Sequence, residues 1–272
     1  MEIAVLEPHG FCAGVTAALK RALAVSSDGG PVYCLHELVH NEIVVADLVR
    51  RGVVFVSDVV EVPPEATVLF SAHGVSPAVR RAAEARGLKV VDATCPFVAR
   101  VHRAVVDYAA RGLRVVVIGN PGHVEVQGIV GEVASAEVVR DAAGAAELPR
   151  RAPGERLGVV SQTTMNSDEV ARIVGVLEER FTVETTAEVC HATKERQDAV
   201  RGFSGDALLV LGSVNSSNTR RLCEVARCRV FRAGTMDEVR ALDFSGVTTL
   251  GVTSGASTPE SFFADAVRHL RA

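Results

Sequence analysis

The stretch KVVDATCPFVARVHRAVVDYAA, residues 89–110, decides the fold class. Lys89–Ala93 is a short β-branched run of the kind that forms a strand. Phe97–Ala110 fits a helix, and Pro96 is a good first helical residue. Between them, Asp92-Ala93-Thr94-Cys95-Pro96 is a turn of small residues that places a cysteine where the helix starts. A strand, such a turn and a helix form the repeating unit of α/β folds.

The same construction recurs on either side. Upstream it appears at Glu7-Pro8-His9-Gly10-Phe11-Cys12 and Ser71-Ala72-His73-Gly74. Downstream it appears at Gly119-Asn120-Pro121-Gly122-His123, Ser161-Gln162-Thr163-Thr164, Gly212-Ser213-Val214-Asn215-Ser216-Ser217-Asn218 and Ser254-Gly255-Ala256-Ser257. Cys190, after Thr186-Ala187-Glu188, fits the scheme more loosely. The apolar runs before these turns, such as IAVLE (3–7), PVYCL (31–35), VVFVS (53–57), TVLFS (67–71), RVVVIG (114–119), LGVVS (157–161), ALLVLG (207–212), CRVFRA (228–233) and TTLGVTS (248–254), are continuous rather than alternating. That suits strands buried on both faces, as in parallel sheets. Segments Val15–Val25, Ser76–Arg86, Ser167–Glu179 and Asn218–Arg227 fit helices between them. About ten strands in 272 residues are too many for one small sheet. Asp141–Glu155 reads as a surface connection.

Composition narrows the function. A hydrophobic fraction of 48% supplies a sizeable core, and 4% aromatic residues with no Trp argue against base-stacking platforms. A net charge of −4 without Lys/Arg runs argues against a nucleic-acid partner. No apolar stretch approaches the roughly 18 residues of a membrane span. The opening MEIAVLEPHG reads as a first strand, not a signal peptide. A cytoplasmic enzyme is expected. The six cysteines include no CxxC pair, which removes the zinc ribbon and the thioredoxin motif. Cys34 lies in an apolar strand, and Cys223 and Cys228 read as packing residues.

The turns can do chemistry, because α/β proteins place ligands in loops at the carboxyl ends of parallel strands. Helix starts there favour anions, so Ser216, Ser217, Asn218 and Ser257 are candidates for holding phosphate. Each taken alone is more often a helix cap. Cys12, Cys95 and Cys190 would be stabilised as thiolates at such positions. Three thiolates without a fourth suit an iron–sulfur cluster with one open iron or, less well, a Cys3His zinc site. His40, His73 and His123 lie in or near loops and could bind phosphate or move protons. His123 and Glu125, two apart, would point the same way in an extended loop, and burial would make the carboxyl a proton donor. His102 and His269 fall on helices and read as structural.

Nine segments in order resemble the LytB (IspH) family of hydroxymethylbutenyl diphosphate reductases. They are GFCAG (10–14), HELVHN (36–41), FSAHGVS (70–76), DATCPFV (92–98), GHVEVQG (122–128), SQTT (161–164), VCHAT (189–193), GSVNSSNTRRL (212–222) and GVTSGASTPE (251–260). The resemblance implies an α/β trefoil of small parallel-sheet lobes around a central 4Fe–4S cluster. The lobes would span residues 13–95, 96–188 and 189–272, the last completed by strand 1–12. Cys12, Cys95 and Cys190 would hold the cluster, and His40, His73, His123, Ser216, Ser217, Asn218 and Ser257 the substrate's diphosphate. Glu125 would deliver protons, with His123 beside it, and Thr163 would position the substrate's hydroxyl. The implied reaction is the reductive dehydroxylation of 4-hydroxy-3-methylbut-2-enyl diphosphate to isopentenyl and dimethylallyl diphosphate, with ferredoxin or flavodoxin as electron donor.

Departures from the family pattern cluster in one loop. Val124 stands where Pro is usual, and Asn120 and Gln127 replace the usual His and Glu. Lys194-Glu195 replaces a more neutral pair after Cys190. These changes leave two alternatives: the same chemistry on a related allylic diphosphate, and a non-catalytic cluster- or phosphate-binding protein.

Overall fold

A computed structural model describes residues 1–26 and 30–272. The strands are β1 (Glu2–Val5), β2 (Val32–Leu35), β3 (Val53–Val56), β4 (Thr67–Phe70), β5 (Lys89–Asp92), β6 (Arg114–Ile118), β7 (Glu137–Val139), β8 (Arg156–Ser161), β9 (Thr182–Thr185), β10 (Ala207–Leu211), β11 (Arg229–Ala233) and β12 (Thr249–Ser254). The helices are α1 (Ala13–Ser26), α2 (Glu42–Arg50), α3 (Pro77–Ala85), α4 (Pro96–Ala110), α5 (Val124–Val130), α6 (Ala142–Glu147), α7 (Ser167–Glu178), α8 (His191–Gly202), α9 (Ser217–Val225), α10 (Met236–Ala241) and α11 (Glu260–Arg271).

The strands form three parallel four-stranded sheets, ordered β1-β12-β10-β11, β3-β2-β4-β5 and β7-β6-β8-β9. Each is the centre of an α/β lobe. The continuous apolar runs follow from burial on both faces. In the third sheet Val116, Ile118, Leu157 and Val159 pack into one core, with Ile173 and Leu177 of α7. Val115, Val117 and Val160 face the opposite core, with Val101, Val105 and Tyr108 of α4. In the first sheet Leu209, Leu211, Leu250 and Val252 face Phe262 and Phe263 of α11, while Leu208 and Val210 face Leu222 of α9. Alternate residues of one strand thus feed two cores, so polar alternation is absent. Each large side chain so buried contributes about 1.5–3 kcal/mol. The close packing is visible at Gly158 of β8, where a Cβ would lie 2.4 Å from the Tyr108 ring.

By internal contacts the chain divides into two compact units. The first comprises Met1–Thr16, Val39–Arg51 and Cys190–Ala272, and contains the sheet of β1, β12, β10 and β11. The second comprises Ala17–Leu38 and Gly52–Val189, and contains the other two sheets. The segment with α2 therefore leaves the second unit between β2 and β3 and packs in the first.

Three local expectations need correction. Asp141–Glu155 is not only a connection, because Asp141 accepts the Gly144 N–H and starts α6, whose Ala145 is buried. Residues 123–125 are not extended, because His123 caps α5 and Glu125 lies in its first turn. Ser257 is not at a helix start either, since α11 begins after Pro259.

Candidate functional site

The second unit holds a buried acid at the start of a helix. Glu125 is 2% exposed. Its two oxygens accept from one residue of the turn after β8: the Thr163 N–H donates at 2.6 Å and the Thr163 hydroxyl at 3.1 Å. Burial pushes the Glu125 carboxyl from the ordinary 4.5 up to about 7, against the two Thr163 hydrogen bonds, which lower it. An acid tuned to that range holds or releases a proton at neutral pH. Gln162 braces the same turn, accepting the Asn120 N–H at 3.1 Å and donating to the Thr164 hydroxyl at 3.0 Å.

His123 accepts the Glu125 N–H on Nδ1 at 3.2 Å. A neutral His123 therefore carries its proton on Nε2. Its ring meets His73 edge-on with centroids 5.6 Å apart, and His73 Nδ1 lies 3.2 Å from the Ser71 hydroxyl. The second unit thus gathers His73, His123, Glu125 and Thr163. The unusual residues of this loop keep its geometry. Val124 is the first helical residue of α5, the position where Pro is favoured, and the Asn120 side chain accepts the Gly122 N–H. Cys95 also belongs to this unit. It precedes Pro96 at the start of α4, makes no capping hydrogen bond with its side chain, and donates its N–H to the Ala72 carbonyl.

In the first unit a chain of hydrogen bonds joins the candidates. The Cys12 N–H donates to the Ala256 carbonyl at 3.0 Å, and the Ala256 N–H donates to Asn218 Oδ1 at 3.0 Å. Asn218 Nδ2 donates to the Thr193 hydroxyl at 3.2 Å, which lies 3.0 Å from Cys190 Sγ. Next to Ala256, the Ser257 hydroxyl donates to the His40 carbonyl at 3.1 Å. Ser216 accepts the Thr219 N–H on its hydroxyl oxygen as the cap of α9, while Ser217 and Asn218 are buried in that helix's first turn. Gly10, at φ +68°, lets the turn before Cys12 pass where a Cβ would meet Glu260.

Chemistry separates the six cysteines into two sets. Cys34 is sealed in β2 with its thiol pushed up to about 12 by burial, and burial takes Cys223 to about 11. Burial raises Cys228 as well. Such thiols resist the deprotonation that metal binding needs. Cys12, Cys95 and Cys190 differ in position, each standing immediately before a helix. The Val15 N–H reaches Cys12 Sγ at 3.5 Å. Each also lies where the chain passes from one sheet to the next, after β1, β5 and β9. Thiols at helix starts are the kind of donor that an iron–sulfur cluster takes. Among the described residues no group of three or more His, Cys, Asp or Glu stands close enough to hold a metal ion. No helix among them is long and apolar enough to cross a membrane.

Thr193, Gln162 and Arg196 were not singled out from the sequence. Thr193 closes the segment VCHAT (189–193), and Arg196 lies three residues beyond it.

A model of the LytB protein family matches residues 3–271. The 4-hydroxy-3-methylbut-2-enyl diphosphate reductase of Pseudomonas fluorescens is 43% identical over 288 residues, covering 100% of this chain and 90% of the relative. That of Hahella chejuensis is 44% identical over 287 residues, with the same coverage. Among solved structures, the E-1-hydroxy-2-methyl-but-2-enyl-4-diphosphate reductase from Plasmodium falciparum superposes with a TM-score of 0.94 at 31% identity, covering 100% of this chain and 88% of that one. A second solved reductase, titled the terminal enzyme of the non-mevalonate pathway, gives a TM-score of 0.70 at 32% identity, with 100% and 99% covered.

Proposed function

The chain belongs to the LytB protein family, and on that premise we propose that it reduces 4-hydroxy-3-methylbut-2-enyl diphosphate to isopentenyl and dimethylallyl diphosphate. The reaction consumes two electrons and two protons and releases water. The observation that carries the reading is Glu125, an acid poised near neutrality by burial and held by Thr163 at both oxygens.

In this reading Glu125 stores the proton that the departing hydroxyl takes up. Thr163 keeps the carboxyl oriented, and its hydroxyl oxygen retains acceptor capacity for the substrate's O–H. His123 accepts the Glu125 backbone N–H on Nδ1, which leaves Nε2–H for an anionic tail. His40, His73, His123, Ser216, Ser217, Asn218 and Ser257 hold the diphosphate. For Ser217 and Asn218 the support is their place in the first turn of α9, where backbone N–H groups and the helix dipole favour anions. Cys12, Cys95 and Cys190 would hold a 4Fe–4S cluster. When bound, it supplies single electrons and a Lewis-acidic iron. Ferredoxin or flavodoxin delivers the electrons, and the enzyme works in the cytoplasm. The division into lobes 13–95, 96–188 and 189–272 with 1–12 belongs to the same proposal.

The test is an anaerobic assay of iron-loaded protein with a chemical reductant and a panel of allylic diphosphates. Formation of isopentenyl and dimethylallyl diphosphate from the 4-hydroxy substrate is expected. Turnover of only another member of the panel would assign the chemistry to a different substrate, and loaded protein inert toward all of them would remove the enzymatic reading.

A further inference from the structure

Helix α8 buries a cation that has no counter-charge of its own. Arg196 is 2% exposed, and its Nε has no hydrogen-bond partner among the described residues. Its Nη2 donates to the Gly10 carbonyl at 2.8 Å and to the His9 carbonyl at 3.4 Å, and its Nη1 to the Ala192 carbonyl at 2.9 Å. These partners are neutral dipoles. No carboxylate among the described residues forms an ion pair with it. The nearby acids, Glu7 and Glu195, are well exposed and face His9 at 3.1 Å and His191 at 3.3 Å.

A guanidinium stays charged in a protein, and a buried charge normally has a partner. Burial pushes the Arg196 pKa down, while Cys12 and Cys190, more than Glu195 and Glu7, push it back up. Arg196 also ties together the segments that present these two cysteines. Its own helix begins at Cys190, and it grips the His9–Gly10 turn two residues before Cys12. A neutral donor could serve the carbonyls. The charge itself calls for an anion, and thiolates, or a cluster held by them, provide it.

We propose that Arg196 is the fixed counter-cation of the Cys12 and Cys190 thiolates and of the iron–sulfur cluster they share, raising that cluster's reduction potential. This rests on the cluster assignment above. Arg196 is a positioning residue, acting through the two cysteines. A cluster's potential follows its local net charge, so a nearby fixed cation favours the reduced form.

The experiment compares wild type, Arg196→Gln and Arg196→Lys, all full-length and reconstituted anaerobically. Iron per chain is measured, and the potential is read by mediator titration of the cluster's visible and paramagnetic signals. The Gln variant is expected to shift the reduced-to-oxidised ratio at a given mediator potential about tenfold toward oxidised, which is about 59 mV for one electron. The Lys variant, which keeps the charge, is expected to recover most of that shift. Equal potentials in wild type and Gln variant, or equal shifts in Gln and Lys, would overturn the proposal. If the Gln variant does not reach the native circular-dichroism spectrum, Arg196→Met, uncharged but of similar reach, is measured in its place. A wild-type chain that takes up no iron overturns the cluster assignment itself, a result distinct from a loaded wild type with unmoved potentials.

Discussion

Replacing Glu125 by Gln turns a buried acid into its neutral isostere. The carboxyl's rise from 4.5 to about 7 sets the size of the effect. At about 1.4 kcal/mol for each pH unit of displacement, ionising Glu125 in place costs the fold about 3 kcal/mol. Below pH 4.5 the group is protonated in the folded and unfolded chains alike, so no penalty applies. As pH rises past 4.5 the unfolded chain ionises first, and the penalty grows until Glu125 itself ionises near 7. Above that it is complete. In the Glu125→Gln variant the side-chain carbonyl would still accept the Thr163 N–H, and the amide could donate to the Thr163 hydroxyl. The variant should therefore match wild type near pH 4.5 and exceed it by up to about 3 kcal/mol at pH 8. Turnover should fall by about 10²–10⁴-fold, the usual contribution of a general acid. The assays are urea unfolding at several pH values, with both proteins equally iron-loaded, and anaerobic steady-state turnover. Full activity in the variant would refute Glu125 as proton source. A stability difference that does not change between pH 4.5 and 8 would refute the burial argument.

In wild type, kcat/KM should fall as pH rises through about 7, because the protonated carboxyl is the working form; a flat pH–rate profile would count against it. Thr163→Val removes the hydroxyl that lowers the Glu125 pKa, so that limb should move to higher pH while turnover drops. Cys34→Ser should leave iron per chain unchanged, whereas Cys95→Ser should lower it sharply; equal iron in the two would break the ligand assignment. Asn218→Ala severs the link between Ala256 and Thr193 and should cost about 1–3 kcal/mol in urea unfolding, since it strands buried partners.

What could be read from the sequence was what local chemistry dictates. Strands buried on both faces announce themselves as unbroken apolar runs, as β10 and the Val115–Ile118 part of β6 do, with every residue buried. β7 and β9 passed unnoticed because they are edge strands, short and half-exposed, with Glu137, Thr182 and Glu184 interrupting the pattern. Helix α8 was hidden because HATKERQDAVRG is polar almost throughout, and its buried Arg196 is indistinguishable from a surface arginine until the fold encloses it. The helix start at Cys95 is readable from Pro96 beside it. The Glu125 proton affinity is not, since it depends on burial and on Thr163, 38 positions away. Of the polar cluster at 215–218, Ser216 caps α9 by accepting the Thr219 N–H, which leaves its O–H free to donate elsewhere.

The pairing of β1 with β12, Glu2 opposite Thr249, sets an order of events during synthesis. The strand that leads into Cys12 is made before its partner, which follows about 250 residues later, or on the order of 10–50 seconds at ribosomal rates. Until β12 emerges, β1 has no neighbour, because its only place in the sheet is at the edge beside β12. The Ala256 carbonyl that receives the Cys12 N–H emerges only then as well. Cys12 therefore cannot take its place beside Ala256 until β12 and the turn after it have been made. Any metal loading that requires Cys12 in that place follows the synthesis of β12, and a truncated chain ending before β12 would leave β1 without its partner strand.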